Sequence, residues 1–259
     1  MLVNSIRAEW TKLASTKSFA WTSILIVVLS WAFAALMGWG SKTALDSMDP
    51  EDMTDVPKID AVAAIQGFEL FGVMVIIIMA TLLVTTEYRF KTINETIMMT
   101  PKRPIIAISK TIVYGLVAVV LSFFSTITSV LVFKSLAGDY GSEMKVLSGS
   151  SARVYVTTAV GALLVVVMAV GVAFIVRQTA GAIAIILLWK LVLEDLITLI
   201  PKVGKNIKGY RPFTNLSAWV SDAKLDGAPW GTTGSIIYFA VWALVLFAIG
   251  VAVFVKRDA

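Results

Sequence analysis

Four ionisable side chains fall within long apolar stretches of this sequence: Glu69, Lys190, Glu194 and Asp195. Charged groups are costly at membrane depth, so they normally face the protein interior or a wet cavity. Lys190 and Glu194 are four residues apart, the spacing at which helical side chains can form an ion pair, whereas Asp195 needs another partner or water. Two interpretations remain open: a self-neutralising structural pair beside a hydrated Glu69, or the polar lining of a path through the membrane. A proton relay is the weakest interpretation, because no series of ionisable residues crosses an apolar stretch.

Two absent residue types restrict the remaining chemistry. The 259 residues include no Cys and no His, which excludes Ser-His-Asp triads, HExxH zinc sites, cysteine nucleophiles and disulfides. The composition, 58% hydrophobic and 15% charged, is that of a membrane protein, since soluble domains are about 25% charged. We attribute the net charge of +5 to cytoplasmic loops beside anionic headgroups, and we expect no nucleic-acid partner and no metal site.

Six apolar segments are long enough to cross a bilayer, which takes about 20 residues. We predict an all-α polytopic membrane protein with a single domain over residues 1–259. Residues 1–18 place Val3, Ile6 and Trp10 at helical spacing, which predicts an amphipathic helix on the membrane surface; a disordered basic tail is the alternative. The predicted spans are residues 19–39, 63–86, 105–133, 154–176, 179–200 and 234–255.

Two polar connections between the spans are long. Residues 40–62 are acidic and predict a solvated loop, with an acidic rim for cationic cargo as the alternative. Residues 201–232 contain PFTNLSAWV, which is too apolar for a free loop, so we predict short re-entrant or surface helices, with a mobile loop as the alternative. Lys110, near the start of the third span, is expected to reach back to the headgroups. Lys and Arg divide almost evenly between the two sides, but without residues 201–232 they favour cytoplasmic termini.

Three parts of the chain carry a further pattern: the polar segment after the second span, the start and the tail. Its residues are Glu87-Tyr88-Arg89, Thr92-Ile93, Thr96, Pro101, Arg103 and Lys110 in the segment, residues 6–13 at the start, and Trp242, Gly250, Phe254 and residues 256–259 at the tail. The segment resembles the cytoplasmic segment of the type-2 ABC exporter permeases. The start and tail are similar to actinobacterial drug or peptide exporters of that family.

This resemblance implies six spans, an N-terminal interface helix, and a coupling helix between spans two and three that docks on an ATPase. It also implies small extracellular helices near the exit, where Pro212, Phe213 and Trp219 are the candidate gate residues. The implied partners are two ATPase subunits, a second permease subunit that makes a homodimer, and lipids of a bacterial plasma membrane. The candidate coupling residues are Glu87, Tyr88, Arg89, Lys91, Thr92, Ile93, Asn94, Glu95 and Arg103.

The sequence has no GxxxxGK[ST] loop to hold ATP phosphates. We therefore expect this chain to be no enzyme and to carry no cofactor, with ATP and magnesium bound by the partner ATPase. The expected function is a path for a hydrophobic or amphipathic cargo: a drug, an antimicrobial peptide or a lipid. The alternatives are a membrane immunity or sensor subunit without transport, and an ion-coupled carrier. The carrier is disfavoured because such proteins usually show inverted repeats and broken helices.

Overall fold

The computed structural model describes residues 1–48, 59–147, 149–200 and 204–257, and every regular element within them is a helix. The amphipathic N-terminal segment forms α1, Leu2–Ala14. Its Leu13 is buried while Val3 and Trp10 remain exposed. A turn then leads to α2, Lys17–Asp46.

The first long connection is shorter than predicted. α2 continues to Asp46, so residues 40–46 are helical where the sequence predicted a polar loop. Residues 49–58 of that connection lie outside the described residues. The chain resumes at α3, Ala61–Ala64, whose first turn is capped by the Asp60 carboxylate at 2.9 Å from Ala63 N.

The second membrane helix is interrupted by a π-helical turn. This turn, Phe68–Gly72, continues without a break into α4, Val73–Arg89. Lys91 then adopts a left-handed φ of 59°, which breaks the helix and sets off the short α5, Ile93–Met99. Proline in the first turn opens the next helix, α6, Arg103–Ala137, as its fixed φ favours.

The second half of the chain begins with α7, Ser150–Val176, which ends where Arg177 takes a left-handed φ of 58°. A second interrupted helix follows immediately. It consists of α8, Thr179–Leu188, a π-helical turn, Trp189–Leu193, and α9, Glu194–Thr198. The remaining helices are α10, Gly204–Ile207, a 3-10 turn, Lys208–Tyr210, α11, Pro212–Val220, and α12, Thr232–Lys256.

Five helical stretches in the described part of the chain are long and apolar enough to cross a membrane. They match predicted spans one, two, three, four and six. The segment predicted as span five is helical over residues 179–198, but Lys190, Glu194 and Asp195 make its second half more polar than the others. The five stretches are Lys17–Asp46, Phe68–Arg89, Arg103–Gly141, Ser150–Val176 and Thr232–Lys256.

α7 lies at the centre of the bundle and packs against α4, α6 and α12. α7 and α12 touch through backbone: a Cβ on Gly171 would lie 2.6 Å from Phe247 Cα, and a Cβ on Gly250 would collide with Gly171 O. Such close crossings are typical of membrane helices, where small residues let the backbones meet. Few side chains of α2 and α12 are fully buried, and most of their apolar side chains are exposed or only partly buried, as expected for helices that face lipid.

Candidate functional site

Four charged side chains from three helices meet at the end of the bundle that holds α1 and α5. We call Glu9, Lys12, Glu87 and Lys110 the charge cluster. Lys110 Nζ lies 2.7 Å from Glu9 Oε2 and 2.7 Å from Glu87 Oε1. Lys12 Nζ lies 3.0 Å from Glu9 Oε1 and 2.9 Å from Glu87 Oε1. The two cations thus bridge the same two carboxylates, and the four formal charges cancel.

The cluster ties α5 to the membrane helices. Lys12 Nζ donates a third hydrogen bond, 3.1 Å long, to Thr96 Oγ1 on α5. Glu9 and Lys12 share one face of α1, Glu87 lies just before the end of α4, and Lys110 lies in the second turn of α6. The ion pairs and hydrogen bonds of the cluster therefore join α1, α4, α5 and α6, although Glu9 and Lys110 are 101 residues apart in sequence.

The Lys110 ammonium does not reach the headgroups, as the sequence suggested it would. Its side chain is only 1% exposed, because two carboxylates supply the charge compensation that water would otherwise give. Buried ion pairs of this kind recover their desolvation cost only with close geometry, and removing one partner is strongly destabilising. For Lys12, burial lowers the pKa, but the hydrogen bonds and attraction from Glu87 and Glu9 outweigh it and raise the pKa above its ordinary value.

The predicted coupling residues divide into exposed and internal side chains. Glu87 belongs to the charge cluster, Ile93 is 3% exposed and anchors α5 to the core, and Tyr88 lies under the Arg177 guanidinium at 5.0 Å. The exposed members are Arg89, Lys91, Thr92, Asn94 and Glu95.

The sequence reasoning missed the most exposed apolar side chains of this region. Met98 and Met99 are 81% and 85% exposed, and Phe90 is 65% exposed. The available signal was two adjacent methionines at the end of a short helix, just before Pro101. Exposed methionines are adaptable apolar contacts and are common at binding surfaces.

Arg103, also predicted to couple, holds the end of the last membrane helix. Its guanidinium donates to Phe254 O at 3.0 Å, Val255 O at 3.3 Å and Arg257 O at 2.9 Å. These are carbonyls at the C-terminal end of α12, which have no partner within the helix and carry partial negative charge. The α5–α6 connection is thereby fixed to α12 as well as to α1.

At the other end of the bundle, the two π-helical turns face each other. Lys190 Nζ donates to the backbone carbonyl of Glu69 at 3.2 Å. Both residues line a cavity of about 380 Å³, together with Phe213 and Leu216 of α11, and we call it the π-turn cavity. π-Helical turns inside α-helices often lie at functional sites.

Glu194 does not pair with Lys190 among the described residues, although their spacing allowed it. Its carboxylate instead accepts hydrogen bonds from the first turn of α11: Phe213 N at 2.7 Å, Thr214 N at 2.8 Å and Thr214 Oγ1 at 2.7 Å. A carboxylate at this position accepts hydrogen bonds from N–H groups that have no partner within the helix, and its negative charge interacts favourably with the positive end of the helix dipole. The neighbouring Asp195 finds its partner in Arg211, at 3.0 Å.

α11 is fixed at its other end too. Arg153 of α7 donates to Trp219 O at 3.0 Å and Val220 O at 3.2 Å, and pairs with Asp222 at 2.9 Å. The candidate gate residues are internal: Pro212 and Phe213 are buried, and Trp219 is partly buried against the core. Within residues 201–232, where the sequence predicted short helices, α11 is therefore bonded to neighbouring helices at both of its ends.

Comparison with known proteins assigns the family. The family model described as ABC-2 family transporter protein matches residues 5–192, a stretch that includes the charge cluster, the first π-helical turn and all but the last residue of the second. The chain belongs to the ABC-2 transporter family. No curated protein matches the sequence. This family comprises non-catalytic membrane subunits that associate with an ATPase subunit, and the five apolar helices make this member a multi-pass membrane protein.

Proposed function

We propose that this chain is the permease subunit of an ATP-driven exporter and that a separate ATPase docks on α5. The observation that carries the proposal is the charge cluster beneath that helix. A hydrogen bond from Lys12 to Thr96 joins α5 to this cluster, and the ion pairs of the cluster join α1 to the end of α4 and the start of α6. Displacement of α5 by a partner is therefore transferred to α1, α4 and α6 together.

The docking surface comprises the exposed side of α5 and the turn before it. Arg89, Lys91 and Glu95 supply charge, while Met98 and Met99 supply an apolar tip. This combination fits a groove with an apolar floor and a polar rim, the general anatomy of a protein interface. The exposed positions among the predicted coupling residues are the ones we expect to touch the ATPase, whereas Glu87, Ile93 and Arg103 position the helix.

We further propose six membrane crossings: the five long apolar stretches and, as the fifth crossing in chain order, residues 179–198. Thr179 Oγ1 donates to Thr85 Oγ1 at 2.9 Å, near the end of α4, and Lys190 bonds to Glu69 near its start. This helical run therefore lies antiparallel along the second span over most of its length. Six crossings place both termini and α5 on one side, which we propose is the cytoplasmic side of a bacterial plasma membrane.

The transport path in this proposal passes the facing π-helical turns. The ionisable groups Glu69 and Lys190 line the π-turn cavity, where α11 closes over them, so α11 is the candidate extracellular gate. The resemblance to exporters of drugs, antimicrobial peptides or lipids points to a hydrophobic or amphipathic cargo. Two copies of the chain and two ATPase subunits, which bind ATP and magnesium, complete the proposed assembly.

The experiment is co-purification of the chain with its ATPase, followed by ATP-driven transport in proteoliposomes. The double variant Met98→Asp/Met99→Asp introduces two charges at the apolar tip, and we expect ATPase retention to fall by about tenfold or more. Leu147→Asp is the matched control, because Leu147 is 77% exposed in the connection between α6 and α7, at the opposite end of the bundle. Undiminished ATPase retention and transport in the double variant would refute docking at α5.

A further inference from the structure

A cavity of about 740 Å³ lies between α1, α4 and α5, directly beside the charge cluster. Sites for drug-sized ligands span about 300–1,000 Å³, so it has room for an organic ligand. Its lining combines apolar side chains, among them Leu13, Met79 and Leu83, with the charge cluster, Thr96 and Glu95. The cavity is therefore amphipathic.

The polar part of the lining has one buried acceptor without a partner, whereas both of its lysines have carboxylate partners. Lys110 Nζ contacts two carboxylates, and Lys12 Nζ contacts two carboxylates and Thr96. By contrast, Glu87 Oε2 is buried and has no hydrogen-bond partner among the described residues. A buried acceptor without a donor is costly, and native proteins rarely leave one.

The balance of charge on the lining points the same way. Glu95 lines the cavity, is exposed and forms no ion pair within the part of the chain that the structure describes. Three carboxylates thus face two lysines. Met1 also contributes to the lining, but it is 68% exposed, so water screens its terminal amine.

From this geometry we propose that the cavity binds a primary ammonium joined to an apolar chain. The ammonium donates to Glu87 Oε2, and the chain lies along Leu13, Met79 and Leu83. A primary ammonium is favoured over a quaternary one because Glu87 Oε2 needs an N–H donor and a charged donor makes the stronger bond. An anionic headgroup would meet carboxylates, and an alkyl chain without a donor would leave the acceptor unpaired.

Two sources share this chemistry: a single-chain alkylamine, and the ethanolamine headgroup of a phospholipid. The proposed site goes beyond the proposed export function and does not depend on it, because binding at this cavity requires neither ATP nor an ATPase. Its test therefore uses the full chain alone, and a failure of ATPase docking would leave the result unaffected.

The test is photolabelling of the chain in nanodiscs of phosphatidylcholine and phosphatidylglycerol, with a diazirine-bearing dodecylamine and its trimethylammonium analogue as probes. Labelled peptides are identified by mass spectrometry. We expect the primary amine to label α1 and α4 at the cavity about fivefold or more above the trimethylated probe. Equal labelling by the two probes would overturn the proposal.

Two variants locate the binding determinants. Glu87→Gln should reduce cavity labelling by about tenfold. Glu87→Gln also changes the charge cluster, so a second variant is needed. Leu83→Trp fills the apolar part of the cavity and leaves every charge in place. Leu147→Trp is its control and should label like the native chain, whereas native labelling in both cavity variants would refute the site. Phosphatidylethanolamine in the nanodisc should suppress labelling if the headgroup is the natural ligand and leave it unchanged if a single-chain amine is, and either result accords with the proposal.

Discussion

Lys110 is the residue on which the buried part of the charge cluster depends. Replacing it with methionine leaves the Glu9 and Glu87 carboxylates buried without the cation that lies between them. We expect Lys110→Met to lower the free energy of unfolding by about 3–5 kcal/mol. Thermal unfolding followed by tryptophan fluorescence in detergent measures this change.

The triple variant Glu9→Gln/Lys110→Met/Glu87→Gln separates stability from energy transfer. It removes the three most buried charges of the cluster together, so most of the stability lost in Lys110→Met should return. Transport driven by the ATPase should remain low, because the bonded connection between α1, α4 and α6 is gone. A triple variant as unstable as the single one would show that uncompensated charge is not the cause.

The pKa of Lys12 sets the pH range over which the cluster is intact. Burial alone would lower it, but Glu87 and Glu9 raise it above the ordinary value. A raised folded-state pKa gives stability that is fully present below the unfolded-state pKa and is lost as pH rises through the folded-state pKa. The stability difference between the native chain and Lys12→Met should therefore stay constant from about pH 6 to about pH 9 and shrink only in more alkaline solution. Unfolding at a series of pH values checks this, and a difference that varies within that range would contradict it.

Among the elements, α11 shows how a short amphipathic helix is held in place from both ends. Glu194 contacts its first turn and Arg153 contacts its last. Glu194→Ala should cost about 1–2 kcal/mol of local stability and speed hydrogen exchange of the amides from Phe213 to Val220. Asp195→Asn is the control, because Asp195 is 81% exposed and its pair with Arg211 lies at the surface, where ion pairs contribute little. Equal effects of the two changes would argue against the cap.

The crossing of α7 and α12 depends on two glycines. A side chain at Gly250 would collide with the backbone at Gly171, and overpacked positions typically cost about 1–3 kcal/mol. We expect Gly250→Leu to lower the unfolding temperature clearly. Gly40→Leu, on α2, should not, because a Cβ there meets no atom within 4 Å. A Gly250 variant as stable as the Gly40 variant would mean that the two helices can separate without cost.

At the scale of the whole molecule, the sequence predicted the features that depend on local composition. Long apolar runs identified the helices that became α2, α4, α6, α7 and α12, because burial in lipid requires about 20 apolar residues whatever the fold. The polar segment at Glu87 likewise indicated a helix between two spans.

Features that depend on contacts between distant residues were beyond the sequence. Glu9 and Lys110 are each unremarkable on their own helix, and only packing shows that they share a bond 2.7 Å long. The Lys190–Glu194 spacing indicated a local ion pair. In the fold, the first turn of α11 instead gives the Glu194 carboxylate three hydrogen-bond donors. The π-helical turns left no pattern in the residue order that we recognised.

The central claim, that a partner ATPase engages α5, is tested most directly by cross-linking from single cysteines. The chain has no native cysteine, so Met98→Cys, Met99→Cys and Leu147→Cys can each carry a photoactivatable cross-linker as the only thiol of the permease. With the ATPase co-expressed in the same membranes, we predict cross-links to the ATPase from positions 98 and 99 and none from position 147. Cross-links from position 147 alone, or from none of the three while the complex stays assembled, would contradict the proposed coupling surface.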